Sequence, residues 1–273
     1  MTDVINLRLR AAPPGPVRVD GFTADAFATR SEHEIASLPA WVGRQQTRLG
    51  ELFHVRGGSA DHVRIEGSLA QFDGVGAGTA GGEMVIEGDA GTGLGAGMTG
   101  GHVEVIGSVS AGAGVAMAGG SLIVRGRAGD RLGAMLPGAA KGMTGGVIVV
   151  GGAAGADAAA RMRRGLIVIG GDVGPEAARD MIAGTLIVSG TIAAGAGARN
   201  KRGTIVARGR VTIPAGYRYA CTFSPPHLLV TMSYLRRTFG LAADDDEVPV
   251  AYRRYCGDVL PLGRGEILER MRA

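Results

Sequence analysis

The chain has 273 residues and a formal net charge of +4, and 45% of its residues are hydrophobic, 20% charged and only 4% aromatic. So few aromatic side chains argue against a stacking platform for single-stranded nucleic acid, and no stretch approaches the roughly 18 apolar residues of a transmembrane helix. We therefore expect a cytoplasmic protein that binds neither nucleic acid nor membrane.

Residues 1–60 are predicted to form an N-terminal cap segment. Residues 1–10 include two arginines, but no apolar stretch follows them, so they lack the pattern of a secretory signal. Trp41 and the surrounding residues 35–53 are expected to cover the first unit of the repeat that follows.

Glycines recur at near-regular intervals from residue 82 to residue 203, and each opens a short apolar run. The steps between them are 19, 19, 26, 19, 19 and 19 residues. A period near 20 predicts a solenoid, in which each repeat buries its apolar side only against its neighbours, and the longer step predicts a protruding loop. The glycines are Gly82, Gly101, Gly120, Gly146, Gly165, Gly184 and Gly203.

Each run is predicted to be a β-strand, because polar and apolar residues alternate and β-branched side chains dominate. An earlier, degenerate copy occupies residues 61–67. Residues 61–209 would then contain about eight coils, one for each repeat. The other strands are expected in residues 83–88, 102–107, 121–126, 147–152, 166–171, 185–190 and 204–209.

A column of methionines accompanies the glycines. The residue three positions before the glycine is methionine in five repeats, whereas Thr79 and Asn200 occupy it in two others. Stacked strands lie about 4.8 Å apart, so a repeated side chain becomes a ladder, and methionine commonly fills interior gaps. We predict that Met98, Met117, Met143, Met162 and Met181 are core residues.

Two glycine-rich stretches match the dinucleotide fingerprint G-x-G-x-x-G, at residues 76–81 and 95–100. That fingerprint requires a helix after it, to hold a pyrophosphate at the helix N-terminus. Here each match runs into another predicted strand. We therefore interpret these glycines as tight corners rather than as a nucleotide site.

Basic residues gather at the corners of two late repeats, and we call this group the basic edge. The two corners are two repeats apart, which corresponds to about 10 Å along a stack. An acidic partner or an anionic tail could bridge them, while an ordinary solvated edge is the simpler interpretation. The basic edge consists of Arg161, Arg163, Arg164, Arg199, Lys201 and Arg202.

Residues 210–273 are predicted to form a C-terminal docking tail. Residues 228–239 mix apolar side chains with Arg236 and Arg237 and are expected to form a short amphipathic helix, and the acidic residues 244–247 are expected to form a solvated loop. Cys221 and Cys256 make no C-x-x-C pair and are expected to be free thiols.

No group of residues predicts catalysis or metal binding. The five histidines are scattered without a metal-binding spacing, and no serine lies in a Gly-x-Ser-x-Gly elbow. Glu66, Glu83, Glu87 and Glu104 occupy outward strand positions by alternation. We expect this chain itself to contain no catalytic residue, cofactor or metal ion.

Seven short stretches form a distinctive pattern through the order in which they follow one another along the chain. They are residues 38–43, 49–53, 95–101, 141–146, 181–185, 252–258 and 263–268. In these stretches the chain resembles the C subunit of formylmethanofuran dehydrogenase and of its relative in methylotrophic bacteria, the formyltransferase/hydrolase complex. Residues 61–209 are also similar to the β-helix domain at the C-terminal end of the glutamate synthase large subunit.

The resemblance implies an all-β fold, a right-handed parallel β-helix with an N-terminal cap and a C-terminal tail that contains a short helix. Left-handed β-helices repeat in units of six residues, which a step of 19 does not fit. The handedness therefore depends on the resemblance together with this poor fit.

The resemblance also implies a non-catalytic assembly subunit whose partners perform the chemistry. The expected partners are an amidohydrolase-like A subunit with bound zinc, a B subunit and a formyltransferase D subunit. Such a complex transfers the formyl group from formyl-tetrahydromethanopterin to a methanofuran-type carrier and releases formate during formaldehyde oxidation. An acidic extension of that carrier is the anion that the basic edge would contact.

Two alternatives remain open. One is the C subunit of an archaeal-type formylmethanofuran dehydrogenase, whose B subunit holds a tungsten or molybdenum pterin and iron–sulfur clusters. The other is a stand-alone β-helix enzyme that acts on a sugar or nucleotide without partners. Enrichment in alanine, glycine and arginine with only two lysines is typical of a GC-rich bacterial genome and favours the hydrolase complex.

Overall fold

The computed structural model describes residues 4–240, 250–258 and 263–271, and these are mostly β-structure. Thirteen strands of the described residues form one mixed sheet, and four further strands form a small second sheet. The acidic residues 244–247, predicted to be a solvated loop, lie outside the described residues.

The N-terminal part consists of short strands and short helices. They are β1 (Val4–Leu9), β2 (Val17–Val19), α1 (Ala24–Phe27), α2 (Glu32–Ala36), β3 (Pro39–Val42), β4 (Gln45–Arg48), α3 (Leu49–Leu52), β5 (Phe53–Arg56), β6 (His62–Glu66) and β7 (Phe72–Asp73). Strands β4, β3, β2 and β7 make the small sheet, in that order, and β5, β1 and β6 belong to the large one.

The repeats supply a ladder of parallel strands, which confirms the strands predicted from the glycine period. Each strand pairs with the next at equivalent positions, for example Glu83 with His102 and Ser121 with Val147. The strands are β8 (Glu83–Glu87), β9 (His102–Val105), β10 (Ser121–Val124), β11 (Val147–Val150), β12 (Leu166–Ile169), β13 (Thr185–Val188) and β14 (Thr204–Ala207).

Between strands, each repeat makes a second parallel contact with its neighbours. Single bridges connect equivalent residues one repeat apart, from Leu69 and Ala90 to Ile192 and Val211. Backbone hydrogen bonds also link the corners of adjacent repeats, such as that from the Ala118 amide to the Met98 carbonyl. Each repeat therefore stacks on the next along its length, and not only at its strand.

Sequence-distant segments extend the ladder at both ends. The C-terminal elements are β15 (Arg218–Phe223), α4 (Pro226–Phe239), β16 (Tyr252–Gly257) and β17 (Gly265–Arg270). Strand β1 pairs in parallel with β6, and β17 pairs in parallel with β14. Beyond them the direction reverses, because β5 is antiparallel to β1, while β16 and β15 are antiparallel to their neighbours.

The methionine column is confirmed as core. All five methionines are fully buried, and so are Thr79 and Asn200 at the two remaining positions. Each of these two polar side chains forms hydrogen bonds with backbone three residues away. The Thr79 hydroxyl donates to the Gly76 carbonyl, and the Asn200 side chain exchanges two hydrogen bonds with the Gly203 backbone. A polar side chain can therefore replace methionine here without leaving a buried group unpaired.

The predicted amphipathic helix is confirmed and extends over Pro226–Phe239 as α4. Its residues Leu228, Leu235 and Phe239 pack against an outward apolar column of the ladder, so the sheet has a second core on its outer side. The column comprises Ile123, Val149, Val168, Ile187, Val206 and Leu268. This part of the tail docks on the chain's own sheet.

The end of α4 is fixed by a glycine and by an arginine from the ladder. Gly240 adopts the left-handed conformation, and its amide donates to the Arg236 carbonyl. Arg125 donates a hydrogen bond of 3.2 Å to the Phe239 carbonyl, which places a positive charge at the negative end of the helix. Helix α4 therefore ends over β10, and the outer side of β6, β8 and β9 stays uncovered by it.

Candidate functional site

At the corners of the repeats, every second residue has a left-handed backbone conformation with positive φ. In early repeats these positions are glycines such as Gly95 and Gly97, and each corner leads into a strand rather than a helix, which confirms the corner interpretation. Two later repeats place six other residues there, at about 1 to 2 kcal/mol of strain for each. These are Asp157, Ala159, Arg161, Glu176, Ala178 and Asp180.

Two residues of the basic edge meet through a carboxylate that lies between them. Arg161, Asp180 and Arg199 occupy equivalent corner positions in three successive repeats. Arg199 donates two hydrogen bonds to Asp180, at 2.6 and 2.9 Å, and Arg161 lies 3.8 Å from the same carboxylate. The column therefore alternates in charge, which the basic residues alone did not indicate.

Arg179 joins this column to a second one. It donates to Asp157 at 2.7 and 3.0 Å and lies 3.4 Å from Asp180 and 3.8 Å from Glu176. Arg161 in addition donates to the Ala139 carbonyl, in the longer loop of the irregular repeat. The strained corners thus hold a network of paired charges, and we call it the Asp180 cluster.

The other four residues of the basic edge are exposed: Arg163, Arg164, Lys201 and Arg202. Ile182 and Ala183 occupy the equivalent positions of the repeat between them, so no charge separates the two basic pairs. Within the part of the chain that the structure describes, these four side chains have no carboxylate in ion-pair distance. They are the part of the basic edge that is open to an anion.

The pairing perturbs both partners in the Asp180 cluster. Hydrogen bonds from Arg199, assisted by the charges of Arg199, Arg161 and Arg179, hold the pKa of Asp180 below its usual range. The same hydrogen bonds raise the pKa of Arg199. Asp180 therefore stays ionised in the folded protein under conditions that protonate an ordinary aspartate in the unfolded chain.

We expect Asp180→Asn to lower the free energy of unfolding at pH 7 by about 1 kcal/mol, since one partner of this ion pair is half exposed. Because the folded pKa is depressed, the Asp180 contribution is present above the unfolded pKa of about 3.9 and is lost as the pH falls through the folded pKa. Urea unfolding of both proteins at several pH values measures this. Asparagine also tolerates left-handed backbone.

The control for this experiment is Asp20→Asn. Asp20 is 68% exposed and lies 3.7 Å from Arg18, so its replacement is expected to change stability by only a few tenths of a kcal/mol. A loss in Asp180→Asn that persists unchanged below pH 3 would contradict the role of the carboxylate charge.

The outer side of β6, β8 and β9, which α4 does not cover, carries polar pairs that join neighbouring repeats. His102 Nδ1 and Ser121 Oγ lie 2.7 Å apart, and His62 Nε2 lies 3.3 Å from Glu83. Arg125 is paired with Glu104 at 2.6 Å. The sequence analysis did not predict a base beside a hydroxyl. The signal that it missed is that His62 and Glu83, and likewise His102 and Ser121, are directly paired in the parallel register, 21 and 19 residues apart.

The outward glutamates and the two cysteines lie as predicted. Glu66, Glu83, Glu87 and Glu104 are on the outward side, and Cys221 and Cys256 are free thiols. Among residues 4–240, 250–258 and 263–271, no group of three or more His, Cys, Asp or Glu side chains is arranged to hold a metal ion. No helix within those ranges is long and apolar enough to span a bilayer.

Comparison of the sequence with known proteins finds two relatives of one kind. No protein-family model matches the chain. The C subunit of the formyltransferase/hydrolase complex Fhc of Methylorubrum extorquens is 36% identical over 85 residues, which is 31% of this chain and 32% of that protein. The C subunit of molybdenum-containing formylmethanofuran dehydrogenase 1 of Methanosarcina barkeri is 32% identical over 80 residues, or 28% and 27% of the two chains. These alignments thus span a third or less of the relatives' length.

Comparison of structures extends the match to nearly the whole chain. One chain in the X-ray crystal structure of the formyltransferase/hydrolase complex (FhcABCD) from M. extorquens in complex with methylofuran superimposes with a TM-score of 0.88. It is 34% identical, and the match covers 98% of this chain and 100% of that one. The likeness therefore includes the N-terminal elements, the repeats and the C-terminal elements.

Proposed function

Because the chain belongs to the family of formyltransferase/hydrolase complex C subunits, which includes the C subunit of formylmethanofuran dehydrogenase, we propose that it is a non-catalytic assembly subunit of a formyltransferase/hydrolase complex. The complex would transfer the formyl group from formyl-tetrahydromethanopterin to a methanofuran-type carrier and release formate. The observation that carries this proposal is the full-length likeness to a chain of such a complex.

The proposed scaffold is a right-handed parallel β-helix of about eight coils. Support comes from the parallel ladder of β6 and β8–β14, from the second ladder of single bridges, and from the buried methionine column. Eight coils at 4.8 Å each give a rod of about 38 Å, long enough to hold catalytic partners at a fixed separation. Residues 1–60 would cap it, residues 61–209 would form it, and residues 210–273 would close its other end.

The partner subunits would supply the reactive groups. We infer an amidohydrolase-like A subunit with bound zinc, a B subunit and a formyltransferase D subunit. This chain itself would bind no cofactor.

Purification from the native host tests this proposal. The tagged chain is expected to bring with it other subunits and zinc, without tungsten, molybdenum or iron–sulfur clusters. Mass spectrometry and metal analysis of the native assembly measure both. A chain that purifies as a homo-oligomer without partners would contradict the proposal and revive the stand-alone enzyme.

The C subunit of a formylmethanofuran dehydrogenase is the second candidate function, since the Methanosarcina barkeri relative is 32% identical over its matched residues. The same purification distinguishes it, because that complex would bring a tungsten or molybdenum pterin and iron–sulfur clusters. We favour the hydrolase complex because the sequence identity to its C subunit is higher and the structural match extends over the whole chain.

We further propose that the exposed part of the basic edge steers an acidic extension of the carrier. Reversing the charge in Arg164→Glu and Arg202→Glu is expected to raise the apparent KM for the carrier several-fold, and more at low salt, because long-range attraction is screened by ions. Steady-state kinetics of the purified complex at two ionic strengths measure this effect.

Arg44→Glu is the matched control, because Arg44 is exposed in the turn between β3 and β4 and has the same charge. It is expected to leave the apparent KM unchanged. An unchanged KM and salt response in the two basic-edge variants would show that this edge is only solvated.

A further inference from the structure

A cleft opens where the ladder of repeats meets the C-terminal strands, and we call it the terminal cleft. Its volume is about 590 Å³. One wall consists of the segments that follow β13 and β14, and the other consists of the ends of β16 and β17. Its polar lining residues are Thr191, Arg210, Thr212, Arg253, Glu269 and Arg270. None of the basic-edge residues lines it.

The terminal cleft concentrates positive charge. Three of its described lining residues are arginines, and Glu269 is the single acid among them. Arg270 has an interaction of its own, so Arg210 and Arg253 are the arginines considered below. Arg253 lies 4.0 Å from Glu269, at the outer limit of an ion pair, and its side chain is half exposed. The Arg253 guanidinium is therefore accessible to an anion that enters the cleft.

The polar groups converge from four separate segments of the chain. Arg210 and Thr212 lie one repeat beyond Thr191, and the pairing of β16 with β17 places Arg253 opposite Glu269. Guanidinium groups bind carboxylate and phosphate oxygens through paired hydrogen bonds, and threonine hydroxyls can donate to the same oxygens. A volume of 590 Å³ lies in the range of small-molecule sites.

We propose that the terminal cleft binds a small molecule with two or more negative charges, held by Arg210 and Arg253 with hydroxyl donors from Thr191 and Thr212. The recognised chemistry is a pair of phosphate or carboxylate groups close enough together to reach both guanidinium groups. The proposal concerns this chain alone and does not depend on the proposed function.

Isothermal titration calorimetry on the full chain tests the proposal, with inorganic pyrophosphate in one arm and tricarballylate in the other, at constant ionic strength. Saturable binding at one site per chain is expected. Tighter binding of pyrophosphate would identify a phosphate ligand, and tighter binding of tricarballylate would identify a carboxylate ligand. Absence of saturable binding in both arms would overturn the proposal.

Single substitutions test whether the anion binds in the terminal cleft. Arg210→Gln and Arg253→Gln are each expected to weaken binding of the tighter anion at least tenfold. Arg44→Gln, at an exposed arginine in the turn between β3 and β4, is expected to leave Kd unchanged. Arg210 is exposed on a loop, so its replacement tests the site even if Arg253→Gln fails to fold. Equal weakening by all three variants would show general charge attraction and overturn the proposal.

Discussion

Replacing Gly120 by alanine is expected to lower the free energy of unfolding by about 3 to 5 kcal/mol, from left-handed strain and overpacking together. Gly120 has φ of 79°, and an added Cβ would lie 2.4 Å from the Gly100 carbonyl oxygen and 2.7 Å from that of Gly101. Both atoms belong to the backbone of the preceding repeat. They can move only if the two repeats separate, so urea unfolding should shift to much lower denaturant.

Gly97→Ala is the matched control, because it imposes the same backbone strain without the collision. Gly97 has φ of 66°, and no atom lies within 4 Å of the position of its Cβ. Ala116 occupies the equivalent place in the next repeat with φ of 56°, so alanine is tolerated there. We expect a loss of about 1 kcal/mol. Equal losses in the two variants would contradict the explanation by close approach of the repeats.

Leu235→Ala is expected to cost about 3 kcal/mol, in the range of buried leucine truncations. Leu235 is fully buried in the second core, where α4 covers the outward column of the ladder. Its loss leaves a cavity between helix and sheet and weakens the contact that holds α4 in place. Urea unfolding measures the stability, and hydrogen exchange of α4 shows whether the helix opens before the sheet.

Val230→Ala provides the comparison on the opposite face of the same helix. Val230 is 72% exposed, so its truncation is expected to change stability by less than about 0.5 kcal/mol. Alanine favours the helix more than valine or leucine does, so a similar loss in both variants would contradict the explanation by packing of Leu235 against the sheet.

The repeat could be predicted from the sequence because its constraints are local and recur. A glycine with positive φ at Gly101 or Gly120 allows the chain to enter the strand close to the preceding repeat. The 19-residue spacing then sets the register of every parallel pair. The methionine column followed from the same spacing, since stacking brings equivalent residues together.

The ends of the ladder could not be predicted in the same way. Strand β1 stacks on β6 across more than fifty residues, and β17 stacks on β14 across nearly sixty, with no glycine period to indicate either contact. The sequence analysis also did not predict which side of the sheet α4 covers. The sequence holds only a weak signal for this packing: in β10 and the later strands the outward third position is apolar, as at Ile123, which departs from simple alternation.

The candidate site was predicted in part. The six basic residues were found by their charge, but Asp180 was overlooked because it lies in the repeat between the two basic corners. Equivalent residues are 19 positions apart, so a pair such as Asp180 and Arg199 is distant in sequence and adjacent in the stack. Comparing charges column by column, rather than along the chain, would have revealed the pairing.

The outermost strands of the large sheet influence whether copies of the protein associate through their sheet edges. A ladder of similar parallel strands could in principle continue from one molecule into the next through unpaired edges. Here the ladder ends in antiparallel strands: β5 has only four residues, and β15 has an irregular register between Tyr219 and Cys221. Short or bulged edge strands pair poorly with a further strand. A chain built from nearly interchangeable units can therefore remain a particle of fixed length instead of growing into a fibre.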